Sequence, residues 1–224
     1  MKVLKFGGTS VGSPERIKKV ANLIIDRGKN IVVLSAMSGT TNTLVEIADY
    51  FSKGNVPGAQ ETINNLELKY KSVINDLFGD DAACVNEARS RLGKSFDWMR
   101  SMVNQQFSAV EEKEILAQGE LMSTALMDIY LHKIGVNSVI IPALDYVRTL
   151  DNGEPDMKFI TARLLRELSI NPDADIYITQ GYICRNYKGE IDNLKRGGSD
   201  YTASIIGAVI DAKEVQIWTD IDGM

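Results

Sequence analysis

The opening of the chain constrains its fold more than any other stretch. An apolar run ends at Phe6 and meets the small-residue loop 7–10, and a helix start follows at Ser13 and Pro14. One lysine, Lys5, stands at the end of the apolar run. A strand, a glycine loop and a helix in this order present free backbone N–H groups and a helix N-terminus to an anion, and a lysine adds a point charge. The opening therefore predicts a strand–loop–helix unit that handles phosphate.

The segments that follow have the pattern of a parallel sheet covered on both faces. Residues 30–35 form a continuous, β-branched apolar run, which is typical of a strand buried on both sides. Strand, helix and strand in succession imply a right-handed parallel βαβ unit. Further strands are predicted at 136–141, 175–180 and 214–220, and helices at 14–25, 43–53, 158–168 and 201–210. We expect an α/β fold, a three-layer αβα sandwich with a mostly parallel sheet.

A long helical insertion interrupts this alternation at about 58–133. No proline occurs between Gly58 and Ile141, and apolar residues recur there at helical spacing. Breaks between helices are expected at 79–81 and around Gly93, and the most periodic helix spans 111–133. The insertion is predicted to form a helical lid on the sheet.

Composition excludes several classes of protein. With 224 residues and 44% hydrophobic content, the chain can bury a sizeable core. Its net charge of -5 argues against a nucleic-acid or acidic-membrane partner. No leader-like or membrane-length apolar run is present in the sequence. Cys84 and Cys184 lack the spacing of a zinc site or a disulfide framework, so a cytoplasmic protein without a metal site of its own is expected.

The candidate chemistry is phosphoryl transfer, which needs positioning and positive charge more than covalent participation. Lys5 beside Gly7 and Gly8, with Gly197 and Gly198 at a later helix start, would supply a lysine and two sets of backbone donors. The spacing is neither that of a Walker loop nor that of a dinucleotide fingerprint. Taken alone, each glycine pair is equally well a tight turn, and a lysine at a strand end can simply extend to solvent.

Four stretches carry a stronger signal: Lys5-Phe-Gly-Gly-Thr-Ser-Val11, Ser38-Gly-Thr-Thr-Asn42, Gln118-Gly-Glu-Leu-Met-Ser123 and Arg196-Gly-Gly-Ser-Asp-Tyr-Thr-Ala203. In this order they closely resemble the signature sequences of the aspartokinases, a branch of the amino acid kinase family, and Trp218-Thr-Asp220 matches a fifth. The resemblance implies that MgATP and L-aspartate give ADP and 4-phospho-L-aspartate. This reaction is the first step toward lysine, threonine and methionine.

The resemblance also implies roles for individual residues. Lys5, on the transferring phosphate, and Asp200, beside it, match the catalytic positions. The phosphates and nucleotide match Gly7, Gly8, Gly198, Thr219 and Asp220, and aspartate matches Thr41, Glu120, Arg196 and Ser199. Mg²⁺ would arrive on the ATP phosphates. An arginine fork suits a carboxylate, and the attacking β-carboxylate is already an anion, so no general base is required.

Plain structural explanations stand beside these roles. Glu120 is equally placed to be a solvated helix residue, and Asp200 to be a first-turn acid favoured by the helix dipole. Gly119 weakens a helix by about 1 kcal/mol relative to alanine, which is easier to understand if something packs closely there. The sequence departs from the family at Cys184, where a glycine is common, and at 192–195, where Thr-Thr-Leu-Gly is common.

Members of the family continue past the fifth stretch into adenine-binding segments and regulatory ACT domains. We therefore expect residues 1–224 to be a C-terminally truncated amino acid kinase domain without the ACT domains, from a protein that forms a homodimer at full length. A truncated domain is expected to be weakly active or inactive. Two other functions stay open: another amino acid kinase, acting on glutamate or acetylglutamate, and a non-catalytic aspartate-binding fragment.

Overall fold

Strands and helices alternate along the chain in the computed structural model, which describes residues 1–104, 106–195 and 197–219. The strands are β1 (Lys2–Phe6), β2 (Asn30–Leu34), β3 (Ser138–Ile140), β4 (Ile176–Gln180), β5 (Ile183–Arg185), β6 (Ile191–Asn193) and β7 (Glu214–Trp218). The helices are α1 (Pro14–Ile25), α2 (Thr40–Ser52), α3 (Val56–Phe78), α4 (Ala82–Ser101), α5 (Ala109–Lys133), α6 (Ala143–Tyr146), α7 (Met157–Ile170) and α8 (Gly198–Val209).

Five strands form one parallel sheet in the order β3-β4-β2-β1-β7. Each neighbouring pair is parallel, so the predicted α/β fold with its mostly parallel sheet is confirmed. Strands β5 and β6 form a separate antiparallel hairpin beyond β4. All loops that follow β1, β2, β4 and β7 therefore leave the same, carboxyl edge of the sheet.

Alternation of side chains along the strands divides the core into two layers. Leu4 and Phe6 of β1 join one apolar cluster with residues of α1 to α5. Val3 of β1 joins a second cluster with residues of α6, α7 and α8. A sheet with a helical layer on each face is the three-layer sandwich expected from the sequence. Lys5 follows the period of Val3 and so lies on the face covered by α8, which packs against β1.

Helices α3, α4 and α5 occupy the predicted insertion. Helix α5 packs against β2, β3 and β4, α4 packs against α5, and α3 packs against α2 and α4. Buried residues of all three helices belong to one cluster that also contains strand residues. The inserted helices are thus continuous with the main core.

The predicted helix break around Gly93 is wrong, because α4 runs through this position from Ala82 to Ser101. Leu92 and Phe96 on either side are buried, and their packing offsets the conformational cost of the glycine. The break at Gly79 is confirmed, since α3 ends there with φ +60°.

The predicted start of the first helix agrees with the structure. The Ser13 side chain accepts from the Arg16 amide at the start of α1, as expected for an N-cap before a proline. Within the part of the chain that the structure describes, no helix has the length and hydropathy needed to cross a bilayer.

Candidate functional site

A cavity of about 540 Å³ opens at the carboxyl edge of the sheet. Its walls come from the loops after β1, β2 and β4, from α5 and from the first turn of α8. The lining residues are Gly8, Thr9, Ser35, Ala36, Met37, Ser38, Gly39, Thr41, Asn42, Glu120, Tyr182, Gly198 and Ser199. Loops at the carboxyl ends of parallel strands are where open α/β sheets bind ligands.

The loops after β1 and β2 touch through their backbones. A methyl group at Gly8 would lie 2.6 Å from the carbonyl oxygen of Ala36, so a side chain cannot fit without moving the main chain. The amide of Ser38 also donates to the carbonyl oxygen of Gly8, at 3.0 Å. Gly8 is therefore needed for a close approach between the two loops.

An ion pair lies beside the first loop. Nζ of Lys5 is 2.7 Å from Oδ1 of Asp200, which belongs to the first turn of α8. The lysine side chain is only 11% exposed, whereas that of Asp200 is 51% exposed. A methyl group at Gly7 would lie 3.5 Å from the same ammonium. The structure thus brings together Lys5, Gly7 and Asp200, and the lysine does not extend into solvent.

Glu120 is buried in the cavity wall. It is 5% exposed, and its Oε1 accepts from the amide of Ala36 at 3.2 Å. Burial raises the pKa of the carboxyl to about 7, although the Ala36 hydrogen bond acts in the opposite direction. The explanation of Glu120 as a solvated helix residue is therefore wrong.

Gly119 explains how Glu120 reaches this position. A methyl group at Gly119 would lie 2.7 Å from Cβ of Ala36 and 3.2 Å from Cδ1 of Leu44. The absent side chain lets α5 approach the loop after β2. The expectation that something packs closely at Gly119 is confirmed.

The start of α8 forms the opposite wall. Gly197 caps this helix with φ +79°, and Gly198 follows with φ +39°. Ser199 is buried, and its Oγ accepts from Oγ of Ser35 at 2.8 Å. Gly181, directly after β4, leaves room for Ser199, because a methyl group there would lie 2.4 Å from the serine side chain.

Tyr182 also lines the cavity, and sequence reasoning missed it. It is a non-glycine residue with φ +68°, a conformation that side chains rarely adopt. Its amide donates to Oγ1 of Thr202 at 3.0 Å, and its carbonyl oxygen accepts from the amide of Leu194 at 2.7 Å. Burial, followed by the charge of Glu120, raises the pKa of the phenol. Its place two residues after the end of β4, at the carboxyl edge, was the available signal.

Of the other predicted site residues, one lines the cavity and one borders a neighbouring cleft. Thr41 lines the cavity at the start of α2. Thr219 borders a different cleft of about 320 Å³, next to Phe6 and Trp218. Arg196 and Asp220 lie outside the described residues. The cavity therefore gathers Gly8, Thr41, Glu120, Gly198 and Ser199, with the Lys5 ion pair close to the same loops.

Within residues 1–104, 106–195 and 197–219, no set of three or more His, Cys, Asp or Glu side chains is placed to hold an ion. Burial raises the pKa of the Cys184 thiol to about 12.

Comparison with known proteins connects this geometry to characterised relatives. The chain is 31% identical to the lysine-sensitive aspartokinase 3 of Escherichia coli (strain K12), over 99% of this chain and 49% of the relative. The crystal structure of E. coli aspartokinase III with lysine and aspartate superposes with a TM-score of 0.84 at 29% identity, covering 100% of this chain and 50% of the other. The structure of the same enzyme with aspartate and ADP gives a TM-score of 0.82 at 28% identity, with the same coverage.

The chain spans between a quarter and a half of the length of the curated relatives it matches. A family model described as the amino acid kinase family matches residues 1–224, and the fold of the solved aspartokinase structures covers the whole chain. The sandwich, the glycine loops at its carboxyl edge and the match along the full chain lead to one conclusion: this chain belongs to the amino acid kinase family.

Proposed function

We propose that this domain transfers a phosphoryl group from MgATP to the β-carboxylate of L-aspartate. One observation carries the proposal: the cavity has a buried carboxyl, Glu120, on one wall and the first turn of α8, with Ser199, on another. An amino acid is a zwitterion, and a negative wall facing a helix N-terminus complements its two charges. The solved structures of E. coli aspartokinase III in complex with aspartate support the choice of this acceptor.

The acceptor would lie between these two walls. Glu120 accepts from the substrate ammonium, and Ser199 with Arg196 binds the α-carboxylate. Thr41, at the start of α2, contacts the acceptor from the third side. The β-carboxylate then points toward the loop after β1, where it meets the donor.

The donor phosphates would bind the loops at Gly7, Gly8 and Gly198 through backbone N–H groups. Lys5 neutralises charge on the transferring group, and its ion pair with Asp200 at 2.7 Å holds the ammonium beside Gly7. Thr219 and Asp220 begin the nucleotide site. The adjacent cleft of about 320 Å³ supports the placement of Thr219 near a ligand.

Mg²⁺ is proposed to accompany ATP. The residues suit this ion, because Asp200 is a half-exposed carboxylate next to the phosphate loops, and Mg²⁺ takes one or two carboxylates together with phosphate oxygens. When bound, the ion would neutralise phosphate charge. The protein groups position the reactants, and a carboxylate acceptor needs no general base.

An ADP-release assay with aspartate, glutamate and N-acetylglutamate tests the proposal. Turnover that depends on aspartate and is lost in Lys5→Ala supports it. Turnover with either of the other acceptors in preference would assign a different amino acid kinase. Calorimetric binding of aspartate with neither MgATP binding nor turnover would identify an aspartate-binding fragment instead.

The setting of the domain is also part of the proposal. We propose that the full-length protein is a cytoplasmic homodimer with segments beyond residue 224, in keeping with relatives about twice as long. Light scattering on the full-length protein tests the dimer. A monomeric mass at micromolar concentration would contradict it.

A further inference from the structure

The loop after β2 is held from outside the cavity by two neighbouring residues of α3. Nζ of Lys69 donates to the carbonyl oxygen of Ser38 at 3.0 Å. The hydroxyl of Tyr70 shares a hydrogen bond with Oγ1 of Thr40 at 3.1 Å. Ser38 and Thr40 flank Gly39, and a methyl group on that glycine would lie 3.4 Å from the Lys69 ammonium. The side chains of Lys69 and Tyr70 thus contact the last two residues of the loop and the first residue of α2.

The part of α3 that carries Lys69 and Tyr70 is packed into the core. Tyr70 is 1% exposed, and its ring meets that of Phe96 on α4 edge to face, with centroids 5.9 Å apart. Leu66 and Ile74, one turn to either side, are also buried. Lys69 itself is exposed, but its backbone belongs to a helix that the core fixes. Core packing therefore fixes the backbone from which the Lys69 side chain reaches the loop.

Ser38 connects the Lys69 contact to the loop after β1. Its carbonyl oxygen accepts a hydrogen bond from Nζ of Lys69, and its amide donates to the carbonyl oxygen of Gly8 at 3.0 Å. A methyl group at Gly12 would lie 3.0 Å from Cβ of Ser38, so the first loop also packs tightly against this residue. One peptide segment thus joins α3 to the loop proposed to bind phosphate.

We propose that Lys69 is a positioning residue of the acceptor pocket: it fixes the loop at Ser38 and so sets where Thr41 meets the acceptor, with Tyr70 as its buried partner. The identity of the acceptor rests on the proposed function, whereas the support of the loop does not. Lys69 touches neither reactant in this arrangement. Its effect is expected on acceptor binding and on loop mobility.

The same helix offers a matched control. Lys71 lies two residues further on and pairs with Glu67 at 2.8 Å, away from the loop. Lys69→Met and Lys71→Met remove the same charge from the same helix. Only the first removes the hydrogen bond to Ser38. Lys69→Arg keeps a cationic donor and serves as the rescue variant.

Hydrogen exchange measured by mass spectrometry tests the loop without any ligand. In Lys69→Met, amides of 36–42 should exchange about tenfold faster, because one charge-assisted hydrogen bond is lost. Lys71→Met should leave them unchanged, and Lys69→Arg should restore much of the protection. Equal exchange in the two methionine variants would overturn the proposal, and so would faster exchange spread over the whole chain.

Acceptor binding provides the second test. Calorimetry should show aspartate binding about five- to tenfold weaker in Lys69→Met and unchanged in Lys71→Met. MgATP affinity should fall less than aspartate affinity in Lys69→Met, because Lys69 reaches the phosphate loop only through Ser38, and it should stay unchanged in Lys71→Met. Equal weakening of aspartate and MgATP would indicate general damage and overturn the proposal. If wild-type protein binds glutamate or N-acetylglutamate instead, the assigned acceptor is wrong, and the same comparison is made with that ligand.

Discussion

The buried carboxyl of Glu120 makes a quantitative prediction about stability and pH. Its pKa is raised from an ordinary 4.5 to about 7 by burial. Between these two values the folded state holds a proton that the unfolded state has released, so the free energy of unfolding falls as the pH rises through this window. Glu120→Gln removes the titration, and its amide oxygen can still accept from the Ala36 amide.

The magnitude follows from the pKa difference. The free energy of unfolding of the wild type, relative to Glu120→Gln, should fall by about 2 to 3 kcal/mol between about pH 5 and about pH 8. Urea denaturation of both proteins at the two pH values measures this, and groups that titrate equally in both cancel. The exposed Glu112, on the same helix, gives the matched control Glu112→Gln, which removes a carboxyl without removing a buried side chain.

Parallel pH dependence of the wild type and Glu120→Gln would refute the reasoning. The affinity for aspartate should also depend on pH. A substrate ammonium favours ionised Glu120, so aspartate should bind about tenfold more tightly at about pH 8 than at about pH 6. An aspartate affinity that is independent of pH in this range would remove Glu120 from the ammonium site.

Three further outcomes are expected. Urea denaturation should show that Gly119→Ala destabilises the fold by about 1 to 3 kcal/mol, because the new methyl group overpacks against Ala36. Gly93→Ala should stabilise the fold by about 1 kcal/mol, because the space around its new methyl group is open. The reverse order of stabilities would contradict the assigned packing. In steady-state assays, Lys5→Ala should lower kcat at least about 100-fold, while its aspartate affinity by calorimetry stays close to that of the wild type. Arg196→Ala should weaken aspartate binding about 30-fold or more and leave MgATP binding little changed; equal effects of both substitutions on both ligands would contradict their separate roles.

The layers of the fold were predictable because strand periodicity encodes them. In β1, Leu4 and Phe6 face one core while Val3 and Lys5 face the other, and the order of strands and helices allows few topologies. Gly93 misled the prediction for a physical reason. The cost of a helical glycine is about 1 kcal/mol, and buried neighbours at Leu92 and Phe96 outweigh it, which local sequence does not reveal.

The site was predictable only in part. Glycine pairs and polar residues after strands indicated the loops, because the carboxyl ends of parallel strands share one edge. The burial of Glu120 could not be read from α5, since that helix has buried residues on nearly every side. The left-handed conformation of Tyr182 is accompanied by hydrogen bonds with Thr202 and Leu194, which lie further along the chain and meet Tyr182 only in the folded protein. The contact of Lys69 with Ser38 joins residues 31 positions apart and carries no local pattern.

The contact between the loops after β1 and β2 fixes the position of the proposed phosphate loop relative to Glu120. Phosphoryl transfer to a carboxylate depends on alignment, and a small misplacement of one reactant is costly. Gly8 meets Ala36 through the backbone, Ala36 donates to Glu120, and Gly119 lets α5 approach Ala36. The loop proposed for phosphate and the carboxyl proposed for the acceptor are thus separated by a single residue, Ala36. A shift of that residue would move both together, so their relative position is preserved by close packing that only glycines at 8 and 119 permit.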